Sequence, residues 1–378
     1  MNKIMTQVEA INRDSSLMNR SPETRICGLA SCRVLSFVIA LCAVCTANVS
    51  AQSLKFTPAG NYTAGGKTLV TGDFNADGKI DLVTPFAILI GNGDGTLQSP
   101  RSFPIASPTA IVSGDFNHDG KLDLATANQT SGTVSVLVGK GDGTFQTPVD
   151  YPMGTKPSGI VTADFNRDGN LDLATSNGSY QQSTISIMLG VGNGTFKPAV
   201  TYAITDSNAA TTMLATGDFN GDGKIDLVTA NGMSSNYVTV FLGNGDGTFQ
   251  TPINSGGVAA PQTLVAWDFN RDGKLDLAVM NGFAVIMLGN GDGTFNVGPY
   301  YGLNNIPLDV KLGDFNGDGR MDLVSIGIFK GKNLRILLGN GDGTFENAGD
   351  FMDNANGQAI AVADFNGDRY WFLGCYSK

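Results

Sequence analysis

Histidine is nearly missing from this 378-residue chain: there is one, His118, beside two tryptophans and 50 glycines. A Ser-His-Asp triad, or an acid/base centre built on histidine, is therefore excluded in practice, because His118 sits as a spacer inside a repeated loop. Cysteine is scarce where it would matter. Four of the five (Cys27, Cys32, Cys42, Cys45) precede residue 51, which leaves only Cys375 in the body of the chain. The body then has no internal disulfide, and with so few thiols and imidazoles it offers no soft-metal site. Positive charge is in deficit, with 24 basic against 34 acidic residues and a net charge of −10, so nucleic acid and anionic membranes are disfavoured as partners. No segment keeps a helical period. No stretch beyond residue 51 is apolar for the ~20 residues that a spanning helix requires.

The first 51 residues stand apart. Arg20, Arg25 and Arg33 precede an apolar run from Val34 to Cys45, followed by the small residues of Val49-Ser50-Ala51. That is the layout of a secretory signal peptide. The charged leader is long, and Met18 is a second candidate start. Leu41 and Val44 are too bulky for lipid attachment at Cys42 or Cys45. Residues 1–51 are accordingly expected to be removed on export, leaving 52–378 secreted or at the cell surface with a net charge of −12. Of the 31 acidic residues in that part, 30 are aspartate and one is Glu346. Short Asp carboxylates suit tight turns and ion loops, where ordinary solvated surfaces mix both acids.

The aspartates are periodic. Asp73-Phe-Asn75-Ala-Asp77-Gly78-Lys-Ile-Asp81 returns nearly unchanged from residues 115, 164, 218, 268 and 314, and in degenerate form from 364. Residues 110–150 show one unit. Three short alternating strands surround the loop and a turn, Gly139-Lys-Gly-Asp-Gly-Thr follows, and Phe145–Tyr151 forms a fourth strand in which Pro148 suits an outer edge. Four antiparallel strands per repeat of 42 to 54 residues predict an all-β propeller of seven four-stranded blades. Leu54–Tyr62 resembles a fourth strand with no partners before it, and is expected to complete the last blade and close the ring. At the seventh loop Arg369 replaces glycine and Phe372 the last Asp, and about one strand can follow where two are needed. The closing residues, from Tyr370 to Lys378, are foreign to the repeats in composition, as a truncation or frameshift would leave them. The last blade is expected to be incomplete.

Within each loop the residue types alternate as a hard cation requires. Aspartate stands at position 1, asparagine at 3, aspartate at 5 and again at 9, with glycine at 6 for the sharp turn. The candidate metal ligands are Asp73, Asn75, Asp77 and Asp81; Asp115, Asn117, Asp119 and Asp123; Asp164, Asn166, Asp168 and Asp172; Asp218, Asn220, Asp222 and Asp226; Asp268, Asn270, Asp272 and Asp276; and Asp314, Asn316, Asp318 and Asp322. The carbonyl of position 7 adds a fifth oxygen. Oxygen-only donors crowded in this way suit Ca²⁺ better than Mg²⁺ or Zn²⁺. Six ions would bring twelve positive charges, matching the deficit of residues 52–378. The loop is not an EF-hand, since position 12 (Thr84, Thr126, Thr175, Thr229, Val279, Ser325) is never a bidentate glutamate and strands flank it.

Asp-x-Asn-x-Asp-Gly-x-x-Asp between strands, with a later Gly-Asn-Gly-Asp-Gly-Thr-Phe, resembles the FG-GAP/VCBS repeats, over residues ~54–368. The resemblance implies the integrin α-subunit type of seven-bladed propeller with Ca²⁺ in the loop between the first two strands of most blades. It also makes adhesion an expected role.

Other features have plainer readings. The glycine-rich turns at 91, 139, 243, 289 and 339 lack the Lys-Ser/Thr ending of a phosphate cradle and fall where hairpins turn. Phenylalanine at loop position 2 (Phe74, Phe116, Phe165, Phe219, Phe269, Phe315) and at the end of each turn is expected between blades. Irregular polar inserts (Ser179–Thr184, Thr205–Thr212, Met233–Tyr237, Asn254–Gln262, Tyr300–Pro307) are candidate binding loops, with Tyr180, Tyr237, Tyr300 and Tyr301 expected to be exposed on them. No catalytic residue or organic cofactor is expected. The leading expectation is a monomeric, non-catalytic module that binds a glycan or an extracellular protein. A polysaccharide-lyase-like enzyme using Tyr, Lys or Arg beside Ca²⁺, and a purely structural surface protein, are the alternatives.

Overall fold

The computed structural model describes residues 5–11, 56–62, 68–103, 105, 108–178, 183–204, 209–233, 235–303, 306–328, 332–353, 357–367 and 372–377. Among these residues the strands form seven four-stranded antiparallel sheets. Six are blades, each made from one continuous stretch of chain with its strands in sequence order. Their first and last strands are Val70–Gly72 and Arg101–Ser102, Pro108–Gly114 and Val149–Pro152, Pro157–Ala163 and Val200–Ala203, Ala209–Gly217 and Ile253–Ser255, Thr263–Trp267 and Phe295–Gly302, and Ile306–Gly313 and Phe345–Asp353. The first strands of successive blades contact one another. They line a channel of about 490 Å³ whose walls include Val70, Val112, Val161, Ala215 and Val265.

The strands form where the sequence is β-branched and alternating, and the second strand is the most buried. All six residues of Asp123–Asn128 and of Asp172–Asn177 are buried. Threonine and asparagine survive there because they bond one another: Thr175 Oγ1 donates to Asn177 Oδ1 at 2.8 Å, and Asn177 Nδ2 to Ser186 Oγ at 2.8 Å. A register shift recurs near the start of the first strand, at Pro108/Ala110, Pro157/Gly159, Thr211/Met213 and Pro307/Asp309, in three cases beside a proline that cannot extend the ladder.

The hydrophobic cores lie between neighbouring blades. One combines Phe219, Val228 and Val240 of the fourth blade with Leu264, Leu277 and Phe295 of the fifth. The phenylalanine expected there is the bolt: Phe74, Phe116, Phe165, Phe219 and Phe269 meet Phe145, Phe196, Phe249, Phe295 and Phe345 of the next blade edge to face, with centroids 5.4–6.1 Å apart. The carbonyl of the same residue accepts a bond from the next blade's glycine turn, as from Gly143 to Phe74 at 3.0 Å and from Gly293 to Phe219 at 3.0 Å.

The expectation of seven repeat blades holds for six. The remaining sheet is a composite, ordered Phe56–Tyr62, Met5–Ile11, Phe372–Ser377, Gly357–Ala363. Phe56–Tyr62 is an edge strand of this last sheet, the place that the sequence assigned to it. One strand, Phe372–Ser377, follows the seventh loop. The position left open is taken by Met5–Ile11, in the segment read as a leader. Gly357–Ala363 touches the first strands of both the sixth and the first blade, and Gly95 of the first blade donates to the Phe365 carbonyl at 3.3 Å. No helix among the described residues is long and apolar enough to cross a membrane. The apolar run at 34–45 and the cleavage position lie outside those residues.

Candidate metal centre

Each repeated loop is shaped by its own side chains. In the first, the Asp77 amide donates to both Asp73 Oδ1 and Asn75 Oδ1 at 3.1 Å, so these two oxygens converge on one point. Gly78 N donates to Asp73 Oδ2 at 2.8 Å and Lys79 N to Asp77 Oδ1 at 3.0 Å. The same four bonds recur in the loops that open at Asp115, Asp164, Asp218, Asp268 and Asp314. The curl places position 4 in the left-handed region, with φ near 60° at Ala76, His118, Arg167 and Arg271. Glycine at position 6 does the same without strain.

Positions 1, 3 and 5 thus offer two carboxylates and one amide oxygen on the exposed side of each loop. The third carboxylate, at position 9, is used differently. Asp81, Asp123, Asp172, Asp226, Asp276 and Asp322 are fully buried. In the first loop Asp81 Oδ2 accepts from Phe74 N at 2.9 Å and Oδ1 from Gly91 N at 2.8 Å. The other five make the equivalent pair of bonds, each to the phenylalanine amide at position 2 and to the first glycine of the following turn. Position 9 therefore ties the loop to the far end of its own blade. Burial pushes these carboxyls up, against the pull of the two amides and helped by the charges at positions 5 and 1. Asp172 and Asp226 reach about 6 and Asp322 about 7.

Among the described residues no group of three or more His, Cys, Asp and Glu side chains is placed to hold an ion. That follows from the division of labour just described, since each loop presents two acids outward and commits the third to the backbone. The donor set still fits a hard cation. Positions 1, 3 and 5 converge, all their ligating atoms are oxygens, and each position-9 oxygen accepts one bond with a second lone pair left over. Asp73, Asn75 and Asp77, and their counterparts in the other five loops, would hold it. Position 12 lies in the second strand, buried as Thr126 and Thr175, and belongs to the core.

The glycine turns are hairpins, as expected. Asp94 Oδ1 accepts from the Thr96 amide at 2.9 Å and the Thr96 hydroxyl at 2.6 Å, and Gly91 bridges Leu97. A protein family described as FG-GAP-like repeat matches the sequence over 115–175, 176–229, 218–279 and 314–370, more than half of the chain. The chain belongs to the FG-GAP-like repeat family. No curated protein matches this FG-GAP chain. Among solved structures it is similar to a putative 6-phosphogluconolactonase from Bacteroides fragilis, at 16% identity and a TM-score of 0.59, covering 81% of this chain and 86% of the other. It is also similar to the periplasmic gluconolactonase PpgL of Pseudomonas aeruginosa, at 14% identity and a TM-score of 0.55, covering 76% and 83%. A third likeness is to BBS1N crystallised with ARL6DN, at 15% identity and a TM-score of 0.53, covering 84% and 92%. At these identities the likeness is one of fold.

Outside the FG-GAP loops, the tyrosines divide. Tyr237 and Tyr300 are exposed, at 37% and 54%. Tyr301, expected at the surface, instead packs edge to face on Phe345 and accepts that residue's amide on its hydroxyl at 2.8 Å. Tyr180 lies outside the described residues. His118 Nε2 is 2.9 Å from Asn170 Oδ1 of the next loop, so it links two blades. Two non-repeated features escaped the sequence reading. One is the buried Asp309, whose Oδ1 takes Lys311 Nζ at 2.8 Å and whose Oδ2 takes Ile360 N at 2.9 Å, placing a charge pair beside a channel whose other lining residues are uncharged. The other is a cavity of about 220 Å³ between the fifth and sixth loops. The signal for both was a charged or bulky residue at a first-strand position that is small or aliphatic in the other repeats.

Proposed function

We propose that this chain is an exported, calcium-stabilised propeller that serves as a non-catalytic binding module for a glycan or another surface protein. The observation that carries the reading is the repetition of one preformed oxygen cradle six times, with two carboxylates turned outward in each. Such a rim is self-repelling until a cation neutralises it, and a propeller rim so neutralised is a rigid platform for adhesion. The composite sheet is proposed as the seventh blade, which makes the ring a seven-bladed one. Asp73, Asn75, Asp77 and their counterparts bind Ca²⁺, and the position-9 aspartates hold those ligands in place and lend a lone pair where the ion approaches. In this reading the ions contribute stability and order to the rim, and chemistry is left to other proteins.

The test uses residues 52–378 with Ca²⁺ against a panel of immobilised polysaccharides, recording retained protein and released oligosaccharide together. Retention without product, abolished by chelator, is the expected result. Release of product would replace the module with an enzyme. Absence of retention on every polysaccharide would leave a protein partner, sought by crosslinking at the surface of the producing cell.

A further inference from the structure

We propose that the cavity between the fifth and sixth loops binds one hexuronate unit of an acidic polysaccharide, with Trp267 as its platform and Arg271 and Arg320 as its carboxylate readers. This rests on the reading of the chain as a glycan-binding module and names the sugar class and the site. Trp267 ends the first strand of the fifth blade, immediately before Asp268. The same position is Gly72, Gly114, Ala163, Gly217, Gly313 and Ala363 in the other repeats. It is small there for a reason: a Cβ on Gly72, Gly114 or Gly217 would come within 2.4, 2.7 or 2.3 Å of Leu122, Leu171 or Leu275 on the neighbouring loop. At the fifth blade the facing residue is Met321, which lines the cavity with Trp267 and, being unbranched, leaves room for the indole. Trp267 nevertheless remains 43% exposed. A bulky apolar ring has thus been admitted where the repeat excludes one, and it has not been buried. Its packing gain is small, so its use lies in the open face.

Two guanidinium groups stand beside it. Arg271 occupies position 4 with φ 60°, a conformation that the fourth and sixth loops give to glycine. Its guanidinium crosses to the next blade and donates to the Gly319 carbonyl at 2.8 Å, which fixes the fork at the cavity wall with donors to spare. Arg320 is the only arginine at position 7 of any loop, and it stands 44% exposed with its NH1 3.8 Å from Asp318. A sugar ring presents a flat C–H face to the negative face of an indole, and a uronate adds a planar carboxylate that a guanidinium fork matches in two bonds. The cavity, at about 220 Å³, takes a single ring while the chain of sugars runs on over the rim. Asp268 lines the same cavity and Asp318 adjoins it, so an anion is welcome only when cations occupy the two loops. Binding is therefore calcium-dependent at this site.

Tryptophan fluorescence tests this, using a tetramer of galacturonic acid and a neutral cello-tetraose as probes on the chain with Ca²⁺. The expected result is a saturable change with the acidic tetramer, lost with chelator. Trp267→Ala, which restores a residue found in two other repeats and removes the site's fluorescent reporter, should weaken retention of the chain on an immobilised acidic tetramer about tenfold or more with an unchanged Tm. Arg271→Gln with Arg320→Gln should erase the preference for the acidic over the neutral probe. Equal retention by Trp267→Ala and the parent chain would overturn the site and leave the module reading standing. Retention of neutral glycans only would overturn the sugar class. Retention of no glycan, or of a protein alone, would overturn both this proposal and the glycan reading.

Discussion

Gly243 donates its amide hydrogen to Asp226 Oδ1 at 2.7 Å, closing a contact between residues 17 apart in sequence. The other oxygen of Asp226 takes the Phe219 amide at 2.9 Å, and Phe219 packs edge to face on Phe295 of the next blade. One buried carboxylate thereby joins a loop, the turn at the end of the third strand and the interblade core. Gly243 permits this approach, since a Cβ there would lie 2.2 Å from the Ile225 carbonyl.

Replacing Asp226 with alanine should cost about 2–4 kcal/mol, because two buried amides lose their acceptor together. The loss is expected with and without Ca²⁺. Urea unfolding of the variant, in chelator and in excess Ca²⁺, measures it, and hydrogen exchange should show Gly243 and Phe219 losing protection first.

The outward acids of the same loop should behave in the opposite manner. Asp222→Asn touches an exposed side chain, so in chelator it should change stability by less than ~0.5 kcal/mol. In Ca²⁺ it should lose the gain of one site, about 2.7 kcal/mol at a hundredfold excess over Kd. Calorimetric titration should count one ion fewer than the parent chain binds.

Acidity should separate the metal-free state from the loaded one. The position-9 carboxyls have folded pKa values above the ordinary 3.8, with Asp172 and Asp226 near 6 and Asp322 near 7. Between the unfolded and folded values the native state holds the extra proton, so this contribution is complete below about pH 4 and is lost as the pH rises through 6 to 7. The chelated chain should therefore melt at a higher temperature at pH 5.5 than at pH 8. Calorimetric scans in chelator would show it, and a Tm that rises across that window would refute the burial argument.

How much of this was legible from residues alone depends on the range over which each feature acts. The loop at Asp73–Asp81 is local, and its alternation and glycine declare a curled oxygen cradle. The blade follows from the period at which that loop returns. The backbone bonds of Asp81 were hidden because a third acid at regular spacing is read for its charge alone, and only folding brings the Gly91 amide to it. Trp267 was hidden for a different reason. A single tryptophan among β residues looks like core until the neighbouring blade supplies Met321 where Leu122, Leu171 and Leu275 stand elsewhere. Tyr301 was misread because an insert rich in polar residues suggested exposure, while the Phe345 amide 44 residues away needed its hydroxyl. Met5–Ile11 was read with the leader, since the arginines and the apolar run at 34–45 marked the first 51 residues as one segment.

That last strand poses the sharpest conflict between export and fold. Met5–Ile11 pairs on one side with Phe56–Tyr62 and on the other with Phe372–Ser377, with Val8 opposite Gly60 and Gly374. Cleavage after Ala51 would remove it and leave two strand edges facing an open slot, each a row of unpaired amides and carbonyls. The six repeat blades do not depend on it, because each completes its sheet from its own stretch of chain. Residues 52–378 should therefore fold and keep the full response to Ca²⁺, with fast hydrogen exchange confined to 56–62 and 372–377. A synthetic peptide of residues 5–11 should slow exchange in both segments. Exchange measured by mass spectrometry on 52–378, alone and with the peptide, decides the matter. Unprotected amides throughout the first and sixth blades would show that the ring cannot stand without its N-terminal strand, and that the leader must stay attached for the protein to work.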